Sequence, residues 1–421
     1  MELLLFTSIL ICTMAIGLPV AFALIVAAIA LMTFMGMNDP ILVIENMWEG
    51  ANSFPLMAVP FFMLAGEAMN AGGITKRIIA MSISWFGHIR GGLGYVTIIA
   101  AVIMASLSGS AVADTAALAA VLIPLMRGAG YDVHRVGGLI ASGGIIAPII
   151  PPSIGMILYG VSGQVSITKL FMAGIIPGLM MGFGLMLTWW YLAKKEDVKV
   201  LPKASMKERL KHTGHSFWAI LLPIVVIGGL RLGFFTPTEA AVMAAVYSLL
   251  VGIFIYREIK LSMLYSLFFN AAKTTAVIMF LVGAASISAW LITAANMPAQ
   301  LAVLLKPVIG HPRLLVLCLV LLVLVIGMAM DFTPNVLILT PVIIPILRQG
   351  GVDPVYFGVL FIMANAIGLI TPPVGTVLNV ICGVGNLSMT KLVSKISPFL
   401  VCYLIVLGLL ILFPSIMVIP K

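Results

Sequence analysis

Charge is the feature this chain has least of: Asp, Glu, Lys and Arg make up 9% of its 421 residues, against roughly 25% in an average soluble domain. That excludes an ordinary water-soluble fold. Cysteine is scarce as well. Cys12, Cys318, Cys382 and Cys402 each stand alone in apolar sequence without C-x-x-C spacing, so neither a disulfide framework nor a thiolate metal site is indicated, and they read as small packing residues. The five histidines fall in expected loops or helix ends, none with transition-metal spacing, which leaves a membrane metalloenzyme unsupported. A phosphate loop is missing too: GGLGYV at 91–96 lacks the G-x-x-x-x-G-K-S/T pattern and reads as a flexible lead-in to an apolar half-helix. The opening MELLLFTSILICTMAIGLPVAF lacks a basic leader and a small-residue cleavage pattern, so it reads as a mature membrane segment.

Apolar sequence dominates what is present. Hydrophobic residues fill 62% of positions, and several runs reach the ~20 residues that span a hydrocarbon core of about 30 Å as helix. The sequence therefore describes an all-α, polytopic membrane protein. Its formal net charge of +9 does not point to nucleic acid, because the basic residues sit at the ends of apolar runs, where they fix orientation. The long polar segment 194–215, KKEDVKVLPKASMKERLKHTGH, is placed in the cytoplasm. Runs at 216–232 and 236–256 lead out and back to Arg257 and Lys260, and the groups Arg127, His134, Arg135 and Lys76, Arg77, His88, Arg90 also fall inside.

Both flanks of residues 91–126 are then cytoplasmic, yet 92–107 and 115–126 make only about 24 Å and about 18 Å of helix at 1.5 Å per residue. The economical solution is a re-entrant hairpin with SGSAVADT, residues 108–115, at its tip. Irregular backbone at that depth must be buried in protein or line a wet cavity.

The chain also repeats itself. A shift of 221 places Pro124 on Pro345, Arg127 on Arg348, Gly130 on Gly351, Asp132 on Asp353, and Pro151 and Pro152 on Pro372 and Pro373; SITKL at 166–170 matches SMTKL at 388–392. Under the same shift Ser110 lies opposite Asp331, and Asp114 opposite Asn335. Each copy thus has a polar tip and, about 40 residues on, a double proline that breaks a helix and frees carbonyls. The crossing count makes the second hairpin, 313–348, enter from the other side, so the repeats are inverted. Inverted repeats with broken midplane helices mark secondary transporters, in which half-helix N-termini suit anions and unwound carbonyls with hydroxyls suit sodium.

Each candidate residue has a second reading. Ser108, Gly109, Ser110, Asp114 and Thr115 form a coordinating tip or merely cap helices; Asp114 and Asp331 are acids at membrane depth and functional suspects, or stabilise their own helix N-termini. Glu239 in TPTE, 236–239, reads as a capping box, Glu67 as a solvated or locally paired acid, and Lys273 as a snorkelling side chain.

The strings MASLSGSAVADTAALAAVLIPLM, GGIIAPIIPPSIGMILYG, DFTPNVLILTPVIIPIL and GLITPPVGTVLNV, with GLPVAFAL and PFFMLAGEAMNAGG upstream, resemble the large membrane subunit of tripartite ATP-independent periplasmic (TRAP) transporters over essentially the whole chain. The resemblance implies an elevator-type fold related to sodium-dicarboxylate carriers and a sodium-coupled importer of a small organic acid, of the C4-dicarboxylate or sugar-acid class, in a bacterial inner membrane; the wording is most similar to subunits for keto-sugar-acid uptake. It implies two protein partners, a small four-helix membrane subunit and a periplasmic substrate-binding protein. No cofactor beyond sodium as coupling ion and no catalysis are expected. The division that follows is 1–50 as N-terminal scaffold, 51–194 as first repeat, 195–262 as basic loop and connecting helices, and 263–421 as second repeat. One sodium site would lie among Ser108, Gly109, Ser110, Pro151, Pro152 and Ser153, the other among Thr333, Asn335, Thr371, Pro372, Pro373 and Gly375. Substrate would sit between the tips, with Asp114, Thr115 and Asp331 as substrate or coupling candidates. The second copy departs from the first by lacking a serine-rich tip and by carrying Val374 where the first has Ser153. A self-sufficient sodium- or proton-coupled carboxylate symporter of the same architecture is the alternative, and an ion channel a remoter one.

Ser110→Ala and Pro152→Ala are each expected to raise the sodium concentration for half-maximal transport. Unchanged sodium dependence at normal expression would reduce these positions to shaping their helices.

Overall fold

The computed structural model describes residues 1–37, 39–194, 198, 200–297, 299–300 and 306–417. Among these every regular element is helical, and eight segments are long and apolar enough to cross a membrane. Residues 195–197 and 199 of the long polar segment lie outside the described residues.

The N-terminal apolar stretch is two helices, α1 (Glu2–Ala15) and α2 (Val20–Phe34), packed on each other across a turn at Gly17, whose φ is +95°. After α3 (Pro40–Ala51), capped by Asp39 with proline in its first turn, come α4 (Ala58–Ala71) and α5 (Ile74–Phe86). Helix α11 (Met206–Arg231) begins inside the segment expected to be loop. The reason is a capping box: Ser205 accepts from the Glu208 N–H while the Glu208 carboxylate accepts from the Ser205 N–H. The expected box at Thr236 and Glu239 opens α12 (Pro237–Leu250). Helix α13 (Leu261–Ala294) has 34 residues, so Lys273 lies well inside it rather than at its end.

Ten further helices come in two matching series. The first is α6 (Gly92–Ser108), α7 (Ala111–Gly128), α8 (Val133–Gly144), α9 (Ile154–Gly163) and α10 (Ile167–Ala193). The second is α14 (Pro312–Gly327), α15 (Phe332–Gln349), α16 (Pro354–Gly368), α17 (Thr376–Gly385) and α18 (Met389–Leu412), each starting 220 to 222 residues after its counterpart. The rare residues shared by the two copies are mostly helix punctuation. Gly130 and Gly351 both take positive φ after α7 and α15. Asp132 and Asp353 cap α8 and α16, accepting from the His134 and Val355 N–H groups at 3.0 and 2.8 Å. Burial works against ionisation of Asp132, but the N–H groups of His134 and Arg135 and the Lys395 ammonium outweigh it and hold its carboxyl below the ordinary value.

Packing is reciprocal between the series. Helix α7 packs on α17 while α15 packs on α9; α8 packs on α18 while α10 packs on α16. Tyrosine hydroxyls also tie the two series together: Tyr159 on α9 donates to Pro354 O at the start of α16 at 3.0 Å, and Tyr403 on α18 donates to Ser142 O of α8 at 2.6 Å. Helices α1–α4, α12 and α13 pack chiefly among themselves, and α11 lies along α5. Arg77 on α5 pairs with Glu258, beyond α12, at 2.6 Å and stacks over Tyr256.

Lipid chains are as apolar as leucine, so close van der Waals fit rather than water exclusion drives such packing. Gly94 shows this, since a Cβ there would overlap the indole of Trp189, which is fully buried and donates to Gly91 O at 2.8 Å. Gly94→Ala is expected to cost about 1–3 kcal/mol, read as a lowered melting temperature in detergent. Gly128→Ala, whose Cβ meets nothing within 4 Å, is the control expected to leave it unchanged.

Candidate functional site

The first tip is shorter than the sequence suggests. Helix α7 starts at Ala111, because Ser110 sits in extended conformation and its hydroxyl accepts from the Ala113 N–H at 3.4 Å. Only Gly109 and Ser110 remain between the helices, and Asp114 and Thr115 fall in the first turns of α7. Asp114 is buried, with one carboxyl oxygen accepting from the Ser108 hydroxyl and the other lacking a hydrogen-bond partner. Ser108 in turn accepts from the Ser110 N–H at 3.1 Å. Thr115 is buried against Gly144 of α8, its hydroxyl also without a hydrogen-bond partner.

The first break, residues 145–153, is wholly buried. Ser153 caps α9 by accepting from the Met156 N–H at 3.2 Å and donates to Pro148 O. Gly109, at φ +63°, meets this break directly: a Cβ there would come 2.6 Å from Pro152 O and 3.2 Å from Ser153 Cα. The structure therefore brings Gly109 against Pro152 and Ser153.

The second tip, 328–331, meets the second break through the Val374 N–H, which donates to Met328 O at 3.3 Å. Asp331 precedes α15 without capping it and accepts instead from the Thr376 hydroxyl, at 2.8 Å, on the far side of the break. Pro373 and Val374 are exposed, unlike their buried counterparts in the first copy, and Gly375 turns at φ +54°. Both proline pairs contain a cis peptide bond.

Two expected neighbours are not brought together here. Thr333 lines a cavity, whereas Asn335, two residues on and so on the opposite side of α15, is fully buried. Asn335 donates to Asn365 Oδ1 at 2.8 Å, and Asn365 Nδ2 donates to Phe332 O at 2.9 Å. Thr371 donates to Ile367 O in its own chain turn at 2.8 Å rather than to Asn335. Asn365 was missed by the sequence reading, although a lone amide in the apolar string MANAIG was a signal of a polar partner.

Both tips open onto one cavity of about 660 Å³. Ser110 and Ala111 at the start of α7, Ile154 of α9, Phe332 of α15 and Thr376 of α17 all line it, so four helix N-termini converge there. Opposite them stand Pro19 and Phe22 near and on α2, Met63 on α4, and Thr274 and Phe280 on α13. Asp331 is the only ionisable residue among the described lining, and Lys, Arg and His are absent from it. Asp114 and Thr115 lie behind the tip rather than in this lining. A larger cavity, of about 750 Å³, runs between Glu49, Gln164, Thr236 and Ser286 and touches neither tip. The smaller cavity is the candidate site because it holds the tips and the convergent helix ends.

Comparison with known proteins gives a consistent result. Residues 7–416 match the family described as "Tripartite ATP-independent periplasmic transporter, DctM component". The chain is 51% identical over 420 residues to the 2,3-diketo-L-gulonate TRAP transporter large permease protein YiaN of Escherichia coli (strain K12), covering 100% of this chain and 99% of that one. It is 37% identical to the sialic acid TRAP transporter large permease protein SiaM of Vibrio cholerae, over 95% of this chain and 93% of that one. Among solved structures it resembles the Alcanivorax borkumensis YdaH transporter, with a TM-score of 0.66 at 15% identity, covering 89% of this chain and 87% of that one.

Ser108→Ala removes the hydroxyl that satisfies the buried Asp114 carboxyl and is expected to cost about 1–3 kcal/mol, seen as a lower melting temperature in detergent. An unchanged melting temperature would mean that another group holds the carboxyl.

Proposed function

The chain belongs to the DctM component family of tripartite ATP-independent periplasmic transporters, and from that premise we propose that it is the sodium-coupled large permease through which a small organic acid, most simply a sugar acid, is imported across a bacterial inner membrane. It is a multi-pass membrane permease and not an enzyme. The observation that carries the finer reading is the cavity where four helix N-termini meet. Each N-terminus offers unpaired N–H groups and about half a positive charge, which suits a carboxylate. With Asp331 in the same lining and no basic side chain among its described residues, an anion bound there is favoured further by nearby cations. Sodium fits that role, because it takes hard oxygen ligands and buried oxygens of Asp114 and Asn335 lack hydrogen-bond partners.

The matched element order and reciprocal packing support inverted repeats that move together. In this reading α6–α10 and α14–α18 form the transport unit and carry the cavity, in elevator fashion, past a scaffold that includes α2, α4 and α13. Coupling follows from packing, because the same tips that line the cavity cover the two polar centres. The relatives are named for 2,3-diketo-L-gulonate, sialic acid and C4-dicarboxylate. The first of these, at the highest of the three identities, supports a keto-sugar acid here. A small four-helix membrane subunit and a periplasmic substrate-binding protein would complete the assembly.

In liposomes, the permease with its small subunit is expected to take up substrate only with an inward sodium gradient and a loaded binding protein. Uptake by this chain alone would overturn the three-component reading in favour of a self-sufficient symporter.

A further inference from the structure

Asn335 poses a problem that its neighbours answer. Its side chain is fully buried, and its Oδ1 has no hydrogen-bond partner. An amide has one end that donates and one that accepts, so which end faces a vacant direction depends on what holds the other. Here Asn335 Nδ2 is held by Asn365 Oδ1 at 2.8 Å and approaches Val323 O at 3.5 Å. Asn365 is itself oriented, because its Nδ2 donates to Phe332 O at 2.9 Å. Polarity therefore runs in one direction from a fixed backbone carbonyl, through Asn365, to Asn335. Flipping Asn335 would set its oxygen against the Asn365 oxygen. Gly327 closes the other side, where a Cβ would lie 3.0 Å from Asn365 Oδ1 and 3.3 Å from Asn335 Nδ2.

We propose that Asn365 is a positioning residue for the second cation centre, turning the Asn335 side chain so that its oxygen, and not its amino group, is offered to a bound sodium ion. The inference rests on the sodium-coupled function proposed above. The other copy explains why an orienting partner is needed only here. By the 221-residue offset, Asp114 stands for Asn335 and Gly144 for Asn365. A carboxylate presents oxygen from either end and needs nothing to orient it, so its copy carries glycine where the amide copy carries asparagine. Thr115 occupies the space that Gly144 leaves, since a Cβ at Gly144 would overlap its hydroxyl.

The test is sodium-dependent uptake by the reconstituted transporter, reading half-maximal sodium concentration and maximal rate separately, with melting temperature in sodium-free buffer alongside. Asn365→Leu removes both hydrogen bonds while keeping the number of side-chain heavy atoms and is expected to raise half-maximal sodium about fivefold to tenfold, the equivalent of one or two hydrogen bonds. That change should exceed any change in maximal rate. Asn365→Ser carries the same expectation should the leucine variant not fold. The decisive variant is Asn335→Asp combined with Asn365→Ser, which restores an oxygen in either orientation and is expected to recover most of the lost sodium affinity. A lowered sodium-free melting temperature with unmoved half-maximal sodium would make Asn365 structural and overturn the proposal, as would a double variant as impaired as the single one. Sodium-independent uptake by the unaltered transporter would instead overturn the coupling on which it rests.

Discussion

Inside a bilayer no water stands ready for a backbone group without a partner, so each interruption of a helix must be satisfied by the protein itself. Among the described residues, the two matching helix series are interrupted at two hairpin tips and two proline breaks. Each tip is set on the break of its own copy. Gly109 lies on Pro152 and Ser153, and Met328 O accepts from the Val374 N–H. Much of the rest follows from these two contacts. They require glycine with left-handed φ at the first tip, bury the first break, and direct the helix N-termini that begin after each interruption into one shared cavity.

The same constraint leaves polar atoms that protein alone does not satisfy. The first copy holds an acid, Asp114, bonded to Ser108 with one oxygen unpartnered; the second holds a neutral amide pair, Asn335 and Asn365, also with one oxygen unpartnered. An unmet buried acceptor costs about 1–3 kcal/mol, which a cation offsets when it binds. In the proposed mechanism that energy links ion binding to the geometry of the tips, and so to the substrate cavity they border. The copies differ in charge and exposure, since the first break is closed while Pro373 and Val374 of the second are open. Two sodium ions bound to such centres would differ in affinity and in order of arrival.

Much of this was legible in residue types. Composition gave the helical membrane fold, and the 221-residue offset of prolines, glycines and aspartates gave the matched series because those residues punctuate helices. The polar tips and double prolines marked the interruptions. Less legible was anything set by a single cap. Ser110 shortens the first tip and draws Asp114 and Thr115 into α7, and Ser205 with Glu208 starts α11 inside a polar segment. Helical phase hid the separation of Thr333 from Asn335, which the family resemblance had placed in one site. Asn365 was invisible as a partner because a contact between separate helices leaves no local pattern.

The central claim, that the unpartnered oxygens beneath the two tips hold sodium, is met most directly by paired cryo-electron microscopy maps of the purified permease in sodium chloride and in choline chloride. The account predicts one discrete density beside Asp114, beneath the first tip, and another beside Asn335 in sodium, both lost in choline. Identical maps at those positions in the two salts would contradict it.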